Sequence, residues 1–230
     1  MARLPRLDLP QIPQHVVQRS NNHQPCFTAE KDYLAYLKDL ADAAVHCGCA
    51  VHAYALMTDH VHLLVTGAER GAVSHMMQCL GRRYVVGFNA RHRRTGALWE
   101  GRFKSCLVDS RGYLFACHRY IEMNPLRATL VSNPIEYRWS SYRCNAMGEL
   151  NRLVTPHPLY LQLGPDPDAR QIAYRALFAN ALGEEEWANI RVHARQQKVL
   201  GTPRFQAAVG ALLARGVVVR PRGRPRLKDE

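Results

Sequence analysis

Two histidines separated by one residue, in the apolar segment 56–65, are the first side chains here that could do chemistry. If His60-Val61-His62 is an extended strand, both imidazoles lie on one face of a sheet and start roughly 7 Å apart, close enough to bind one metal ion. Val61 and Leu63 then point to the opposite face, into a core. By itself the pair is more typical of solvated strand histidines than of a metal site, and the later sequence decides between the two.

A tyrosine and an asparagine supply the second part of the pattern. Tyr120 and Asn124 are four residues apart and therefore share one helix face, where the amide oxygen can complete a two-histidine metal site beside the phenol. Glu122 is chemically the better cation ligand, but two residues from Tyr120 it points elsewhere. Tyr113 is a rival nucleophile on the same face. The residue one turn after it is Cys117, which is neither an amide nor a carboxylate, and this favours Tyr120.

Cleavage of a phosphodiester is the chemistry that suits a phenol beside such a site. A divalent ion neutralises phosphate charge and orients the scissile bond. Attack by the phenol gives a phosphotyrosine that conserves the bond energy, so that a free 3′-hydroxyl can later reseal the strand. Two imidazoles and an amide leave positions open for phosphate and water, which suits Mg²⁺ or Mn²⁺, whereas a structural zinc ion takes a closed set of four ligands.

Hydrophobic periodicity predicts the element order β-α-β-β-α-β, with strands over residues 14–19, 50–57, 60–66 and 103–108. This is the ferredoxin-like α+β arrangement, an antiparallel sheet with two helices on one face. We therefore expect His60 and His62 on the open face, within reach of substrate. A third helix, with Ser110 as its N-cap, carries Tyr120 and stops just before Pro125, which cannot continue the hydrogen-bond ladder.

The chain is expected to have three parts: a catalytic domain over residues 1–146, a helical C-terminal module over residues 147–215, and a basic tail over residues 216–230. The module either reads a hairpin or clamps the substrate, or it only packs on the first domain. In the tail, the segment from Pro221 to Pro225 resembles an AT-hook, which would lay Arg222 and Arg224 along a minor groove. A solvated tail that binds phosphate without sequence preference is an equal alternative.

Charge and cysteine content point to the partner and the compartment. The net charge is +12, and only five of the 31 basic residues are lysine, so arginine, which suits phosphate and base edges, dominates. A genome rich in arginine codons explains the preference for arginine over lysine but not the excess of basic over acidic residues, so a nucleic-acid partner is favoured.

The seven cysteines include no CxxC pair, and the sequence has neither an apolar signal core nor a run of 18 apolar residues. These features predict a reduced, cytoplasmic protein that does not enter a membrane. The cluster His46-Cys47-Gly48-Cys49 with His52 does not have a standard zinc spacing.

Four segments of the chain resemble motifs of a known family. His60-Val61-His62 resembles the HUH motif, in which U is a hydrophobic residue. The segment 120–128, Tyr-Ile-x-x-Asn-Pro-x-Arg-Ala, resembles the nucleophile helix of the single-tyrosine HUH transposases. Segments 98–105 and 139–142 are similar to the branch of REP-associated tyrosine transposases, with an IS200-like transposase domain. The likeness covers about residues 10–145.

The resemblance implies a metal-dependent single-stranded DNA transposase or endonuclease that nicks and rejoins DNA at repetitive hairpins. His60, His62 and Asn124 are then the ligands of Mg²⁺ or Mn²⁺, and Tyr120 forms a 5′-phosphotyrosine. A rolling-circle initiator or relaxase-like nickase and a catalytically silent DNA-binding regulator of the same fold are the alternatives, and both a monomer and a homodimer are compatible with the sequence. The residues expected to hold phosphates or stack on bases are Arg82, Arg83, Trp99, Arg102, Phe103, Lys104, Arg119 and Arg127.

Overall fold

The predicted order of strands and helices is confirmed. The computed structural model describes residues 5–179 and 182–220. Four strands form one antiparallel sheet: β1 (Gln14–Arg19), β2 (Cys49–Leu56), β3 (His60–Gly67) and β4 (Lys104–Leu107). The strand order is β2-β3-β1-β4. Helix α1 (Glu30–His46) joins β1 to β2, and α2 (Ala72–Arg91) joins β3 to β4. The strand bounds differ from the predicted ones by no more than one residue at either end.

One face of the sheet is covered by α1 and α2. Val61, Leu63 and Val65 of β3 are fully buried on this side, in a core that includes Tyr36 of α1 and Leu80 of α2. Alternation along the strand forces the residues between them to the other face. The prediction that the core-facing positions of β3 are odd-numbered is thus confirmed, and His60 and His62 face away from α1 and α2.

The second face is not open, which corrects the expectation from the sequence. Helix α3 (Ser110–Glu122) and helix α8 (Glu184–Gln196) pack on it. The reason is the composition of that face, because Ala53, Leu64 and Cys106 present apolar surface that favours burial. At the end of the sheet that carries the histidines, a cavity remains, which residues of β3, α3 and α8 line.

The remaining elements of the described chain are short helices: α4 (Asn124–Arg127), α5 (Tyr142–Met147), α6 (Pro158–Leu161), α7 (Pro167–Leu177) and α9 (Pro203–Leu213). Helix α7 packs on α5, and Val209 of α9 packs near Leu107 of β4. Helices beyond residue 147 therefore share cores with the first part of the chain. A division at residue 146 stays a prediction, and so does the tail, since the AT-hook-like segment with Arg222 and Arg224 lies outside the described residues. No helix in the described ranges has both the length and the apolar character needed to cross a bilayer.

Candidate active site and metal centre

The histidines lie at the start of β3, and the register of the sheet defines their neighbours. Arg19 of β1 is opposite His60, and Val17 is opposite His62. The two imidazole rings have centroids 5.0 Å apart and are nearly perpendicular, at 81°. Both rings line one cavity of about 670 Å³, together with Arg19. The i, i+2 spacing therefore brings two imidazoles together as predicted.

Each of these histidines is held through its Nδ1 atom by a residue that was not predicted to take part. His60 Nδ1 is 2.5 Å from Asp59 Oδ1. His62 Nδ1 shares a hydrogen bond of 2.9 Å with Nε2 of the buried His15, which lies on β1 on the same face of the sheet. In both rings Nε2 is the nitrogen left for a ligand. Outer partners of this kind orient metal-binding histidines and select their tautomer.

Metal binding by His62 requires one particular arrangement of the protons on the His15 and His62 rings. Coordination through Nε2 of His62 requires that its proton sits on Nδ1 and is donated to His15 Nε2. His15 then carries its own proton on Nδ1, a buried atom for which the described residues offer no hydrogen-bond partner. An Nδ1 atom without a partner is consistent with a His15 ring that serves to hold His62 in place.

Burial favours the neutral form of all three imidazoles. It lowers the pKa of His60, although the hydrogen bond that His60 donates to Asp59 acts against this. Burial also holds the pKa of His62 well below its ordinary range, and it lowers that of His15 to about 3. Neutral imidazoles keep their lone pairs available, which is the state that binds a cation.

Tyr120 lies on α3, and Asn124 lies just beyond it. Asp109, not the predicted Ser110, caps α3, because its carboxylate accepts a hydrogen bond from the Arg111 amide. The helix ends at Glu122, and the chain resumes as the single turn α4. Asn124 Nδ2 donates to the Tyr120 carbonyl oxygen at 2.6 Å, which leaves Oδ1 of the amide as its free ligand atom.

The nucleophile candidate faces the histidines within one chain. The Tyr120 ring is 5.6 Å from the His62 ring and 5.4 Å from the His15 ring, and only 6% of the residue is exposed. Asn124 lines the same cavity, whereas Tyr113 is not among its lining residues. Burial raises the pKa of Tyr120, and the charges of Arg191 and Arg19 act against that rise.

The donors in this cavity fit a divalent cation. Two neutral imidazole Nε2 atoms and one amide oxygen, from His60, His62 and Asn124, form an incomplete ligand set, and the cavity leaves room for phosphate and water. An incomplete set of nitrogen and oxygen ligands suits Mn²⁺ and Mg²⁺ better than it suits a structural zinc ion, which takes a closed set of four ligands.

Glu122 takes no part in this set, as predicted, and anchors the helix instead. It is fully buried, and its carboxylate accepts hydrogen bonds from Ser141 Oγ at 2.5 Å, Tyr174 Oη at 2.7 Å and Asn145 Nδ2 at 2.8 Å. These donors tie the C-terminal end of α3 to α5, α7 and the segment that precedes α5. The anchor fixes the direction in which Tyr120 and Asn124 project.

Helix α8 covers the site, which the sequence did not indicate. The Trp187 ring lies 4.3 Å from the Tyr120 ring, and the Arg127 guanidinium is 4.7 Å from the Trp187 ring. Arg127 also donates to both carboxylate oxygens of Glu184, at 2.7 and 2.8 Å. Glu184, in the acidic first turn of α8, is therefore paired with Arg127, one of the cations expected to hold DNA.

Further cations surround the cavity. Arg191 and Arg195 of α8 and Arg19 of β1 line it with Arg127, and of these only Arg127 was predicted. A second cavity of about 630 Å³ contains the predicted Arg102, Phe103 and Lys104. The other cations that line it are Arg6, Lys198 and Arg215. The two cavities adjoin, because Gln196 lines both.

The other predicted DNA contacts are dispersed. Arg82 and Arg83 lie on α2, across the sheet from Tyr120, and Arg83 is 3.8 Å from Asp42. Trp99 is packed against the core beneath α1 and α2. Phe103 is covered by Arg6, whose guanidinium lies 3.6 Å from the ring. Arg119 lines a smaller hollow beside Trp187.

Known proteins resemble this chain in sequence and fold. A family model described as IS200-like transposase matches residues 9–124, just over half of the 230 residues. A solved structure of a REP-associated tyrosine transposase bound to a REP hairpin overlays with a TM-score of 0.54 at 15% identity, covering 68% of this chain and 93% of that one. A candidate transposase from Deinococcus radiodurans R1 is 20% identical, with a TM-score of 0.35 over 56% of this chain and 91% of the other. No curated protein matches the chain.

The family match spans the whole sheet, both histidines, Tyr120 and Asn124, and the first of these overlays shows the same fold, that of the HUH transposases. The chain therefore belongs to the IS200-like transposase family.

Proposed function

We propose that this transposase cleaves and rejoins single-stranded DNA at hairpin sequences, through a covalent 5′-phosphotyrosine on Tyr120 and with the help of a divalent cation. The observation that carries the proposal is the shared cavity, in which Tyr120 faces His60, His62 and Asn124 of its own chain. The hairpin as substrate class is supported by the fold, because the REP-associated transposase of the same fold was solved with a REP hairpin.

His60, His62 and Asn124 would hold the cation, which when bound supplies positive charge to a non-bridging phosphate oxygen and orients the scissile bond. Tyr120 Oη attacks the phosphorus. The P–Oη bond forms, and the bond from phosphorus to the 3′ oxygen breaks. The phenolic proton leaves to solvent in the cavity, and the departing 3′ oxygen takes one up, so protons balance.

Arg19 and Arg191 assist the phenol electrostatically. Their charges favour the phenolate of Tyr120 against the burial that disfavours it. Rejoining reverses the step, because the phosphotyrosine retains the bond energy and a free 3′-hydroxyl can displace Tyr120. Burial of Tyr120, of which 6% is exposed, limits the access of water and favours that transfer over hydrolysis.

The basic cavities provide a path for the strand. The cavity lined by Arg19, Arg191 and Arg195 adjoins the second basic cavity at Gln196, which lines both. The guanidinium groups of arginine suit phosphate. For a single strand, the slope of log affinity against log salt changes by about 0.7 for each phosphate contact. Arg191→Ala should therefore weaken DNA binding and make this slope shallower by about 0.7.

The test uses a hairpin oligonucleotide with a labelled single-stranded flank, incubated with Mn²⁺ and run on a denaturing gel. The wild type should give a protein–DNA adduct that resists SDS, and Tyr120→Phe should give none. Tyr113→Phe is the matched control on the same helix and should keep the adduct.

Three results would contradict parts of the proposal. An adduct with Tyr120→Phe would show that the nucleophile is another residue. Hairpin binding that is unaffected by EDTA, with no nicked product from the folded wild type, would indicate the catalytically silent regulator. Nicking without transfer to an added 3′-hydroxyl would favour the relaxase-like nickase.

A further inference from the structure

A second cluster of metal-binding side chains lies on the opposite side of the sheet from Tyr120. Cys47 immediately follows α1, and His75 and Cys79 lie one turn apart on α2. The two sulfurs and one imidazole nitrogen all lie within 4.8 Å of one another. The cysteines pack against the core that α1 and α2 share, so this cluster is separate from the transposase cavity.

We propose that Cys47, His75 and Cys79 form a binding site for Zn²⁺ that ties the end of α1 to α2. Two thiolates and an imidazole are the ligand types that Zn²⁺ prefers, whereas Mg²⁺ and Mn²⁺ prefer oxygen-rich sets. Both cysteines are free thiols. Binding releases their two protons to solvent as the two Zn–S bonds form.

The geometry needs only small side-chain movements to close. With Zn–S bonds of about 2.3 Å, ligand atoms in a tetrahedral site lie roughly 3.5–3.8 Å apart, so separations of up to 4.8 Å close by rotation of side chains. His75 is exposed, and the cysteines are half-buried, which gives an ion access from solvent. Since Cys47 follows the last residue of α1 and His75 and Cys79 lie on α2, the ion would join the two helices.

Two members of the cluster, Cys47 and His75, line a hollow of about 540 Å³ that His46 and Glu69 also line. The ring centroid of His46 lies 6.0 Å from that of His75. A fourth ligand from His46 or from water would complete a tetrahedron.

The sequence pattern around Cys47 does not form this site. His52 is buried on β2, where its ring nitrogens bond the Thr155 carbonyl oxygen at 2.7 Å and Thr66 Oγ1 at 2.8 Å. Cys49 directs its thiol to the Cys47 carbonyl oxygen, at 3.7 Å. Cys49 and His52 are thus otherwise engaged, and the cluster partners of Cys47 come from α2, about 30 residues later.

Cobalt titration of the reduced full chain tests the site, because a thiolate–Co²⁺ charge-transfer band reports sulfur ligands and the transposase cavity has none. The wild type should develop this band together with tetrahedral ligand-field bands, and one equivalent of Zn²⁺ should abolish both. Cys79→Ser should at least halve the intensity of the charge-transfer band, because only the Cys47 thiolate remains. The Zn²⁺ affinity of this variant should fall by more than the roughly 10–100-fold that loss of an outer-shell partner costs.

Two further variants separate the site from effects on folding. His75→Ala alters an exposed ligand and should weaken Zn²⁺ binding while leaving the unfolding temperature of the metal-free protein unchanged. Cys144→Ser changes a half-buried cysteine of α5 outside the cluster and should behave as wild type. A reduced, folded wild type that gives no sulfur–cobalt band would overturn the proposal, as would a Cys47–Cys79 disulfide that forms in air in place of metal binding.

Discussion

Glu122 is a buried carboxyl whose titration should be visible in the stability of the protein. Burial raises its pKa from 4.5 to about 7, although Ser141, Tyr174 and Asn145 donate to it and lower that value in part. Between these two pH values the native state binds more protons than the unfolded state, so the free energy of unfolding falls as pH rises. A difference of about 2.5 pH units corresponds to roughly 3 kcal/mol, of which roughly 2.5 kcal/mol lies between pH 5 and pH 8.

The perturbation is Glu122→Gln, which keeps the shape of the side chain and cannot ionise. Its stability relative to wild type should rise by roughly 2.5 kcal/mol between pH 5 and pH 8. Urea unfolding at several pH values measures this difference, in which the buried histidines, common to both proteins, largely cancel. Glu149→Gln, which removes an exposed carboxyl of the same region, should show no such rise.

Parallel curves for wild type and Glu122→Gln from pH 5 to pH 8 would refute this reasoning. They would mean that the three donors compensate fully for burial. The anchor of α3 would then be an ordinary ionised carboxylate rather than a neutral acid that hydrogen-bonds its neighbours.

Two other predictions concern groups that hold or occupy the site. His15→Leu should lower Mn²⁺ affinity by roughly 10–100-fold in calorimetric titrations, because His62 loses the partner that sets its tautomer, and His15→Gln should restore part of the loss. Unchanged affinity in a folded His15→Leu variant would exclude the tautomer argument. Glu184→Gln should leave the stability of the protein nearly unchanged, since the ion pair with Arg127 is exposed to solvent. The same variant should steepen the salt dependence of DNA binding by about 0.7, and a slope equal to that of Glu185→Gln would contradict this.

Local sequence patterns were sufficient to predict the strands and helices that form the sheet and its cover. Alternation in residues 60–66 predicts both a strand and the face that each residue takes, because side-chain direction in a strand depends only on residue parity. The strand bounds, the order of the elements along the chain and the ferredoxin-like class follow from such local signals together with short connections. Helical spacing also predicts that Tyr120 and Asn124 share one face, although α3 ends at Glu122 and Asn124 begins α4.

The environment of the site depended on contacts that are distant in sequence. His15 reaches His62 across 47 positions, and Trp187 lies against Tyr120 although 67 residues separate them. The periodicity of α8 predicts a helix but does not indicate what it packs on. The Cys47, His75 and Cys79 cluster likewise joins distant parts of the sequence, because Cys47 follows α1 and the other two residues lie on α2.

The sequence by itself determined the order of the elements, because spacings of two to four residues within a strand or a helix carry that signal. Its motifs resemble those of the family to which the chain belongs, and this resemblance, together with the spacing, points to the four residues of the proposed catalytic set. Only the tertiary structure decided that the histidine face is covered, that His15 and Asp59 hold the two imidazoles, and that arginines of α8 surround the phenol. The physical reason is that these features arise from burial of apolar surface between elements far apart in the chain, and that burial is settled only when the whole chain packs.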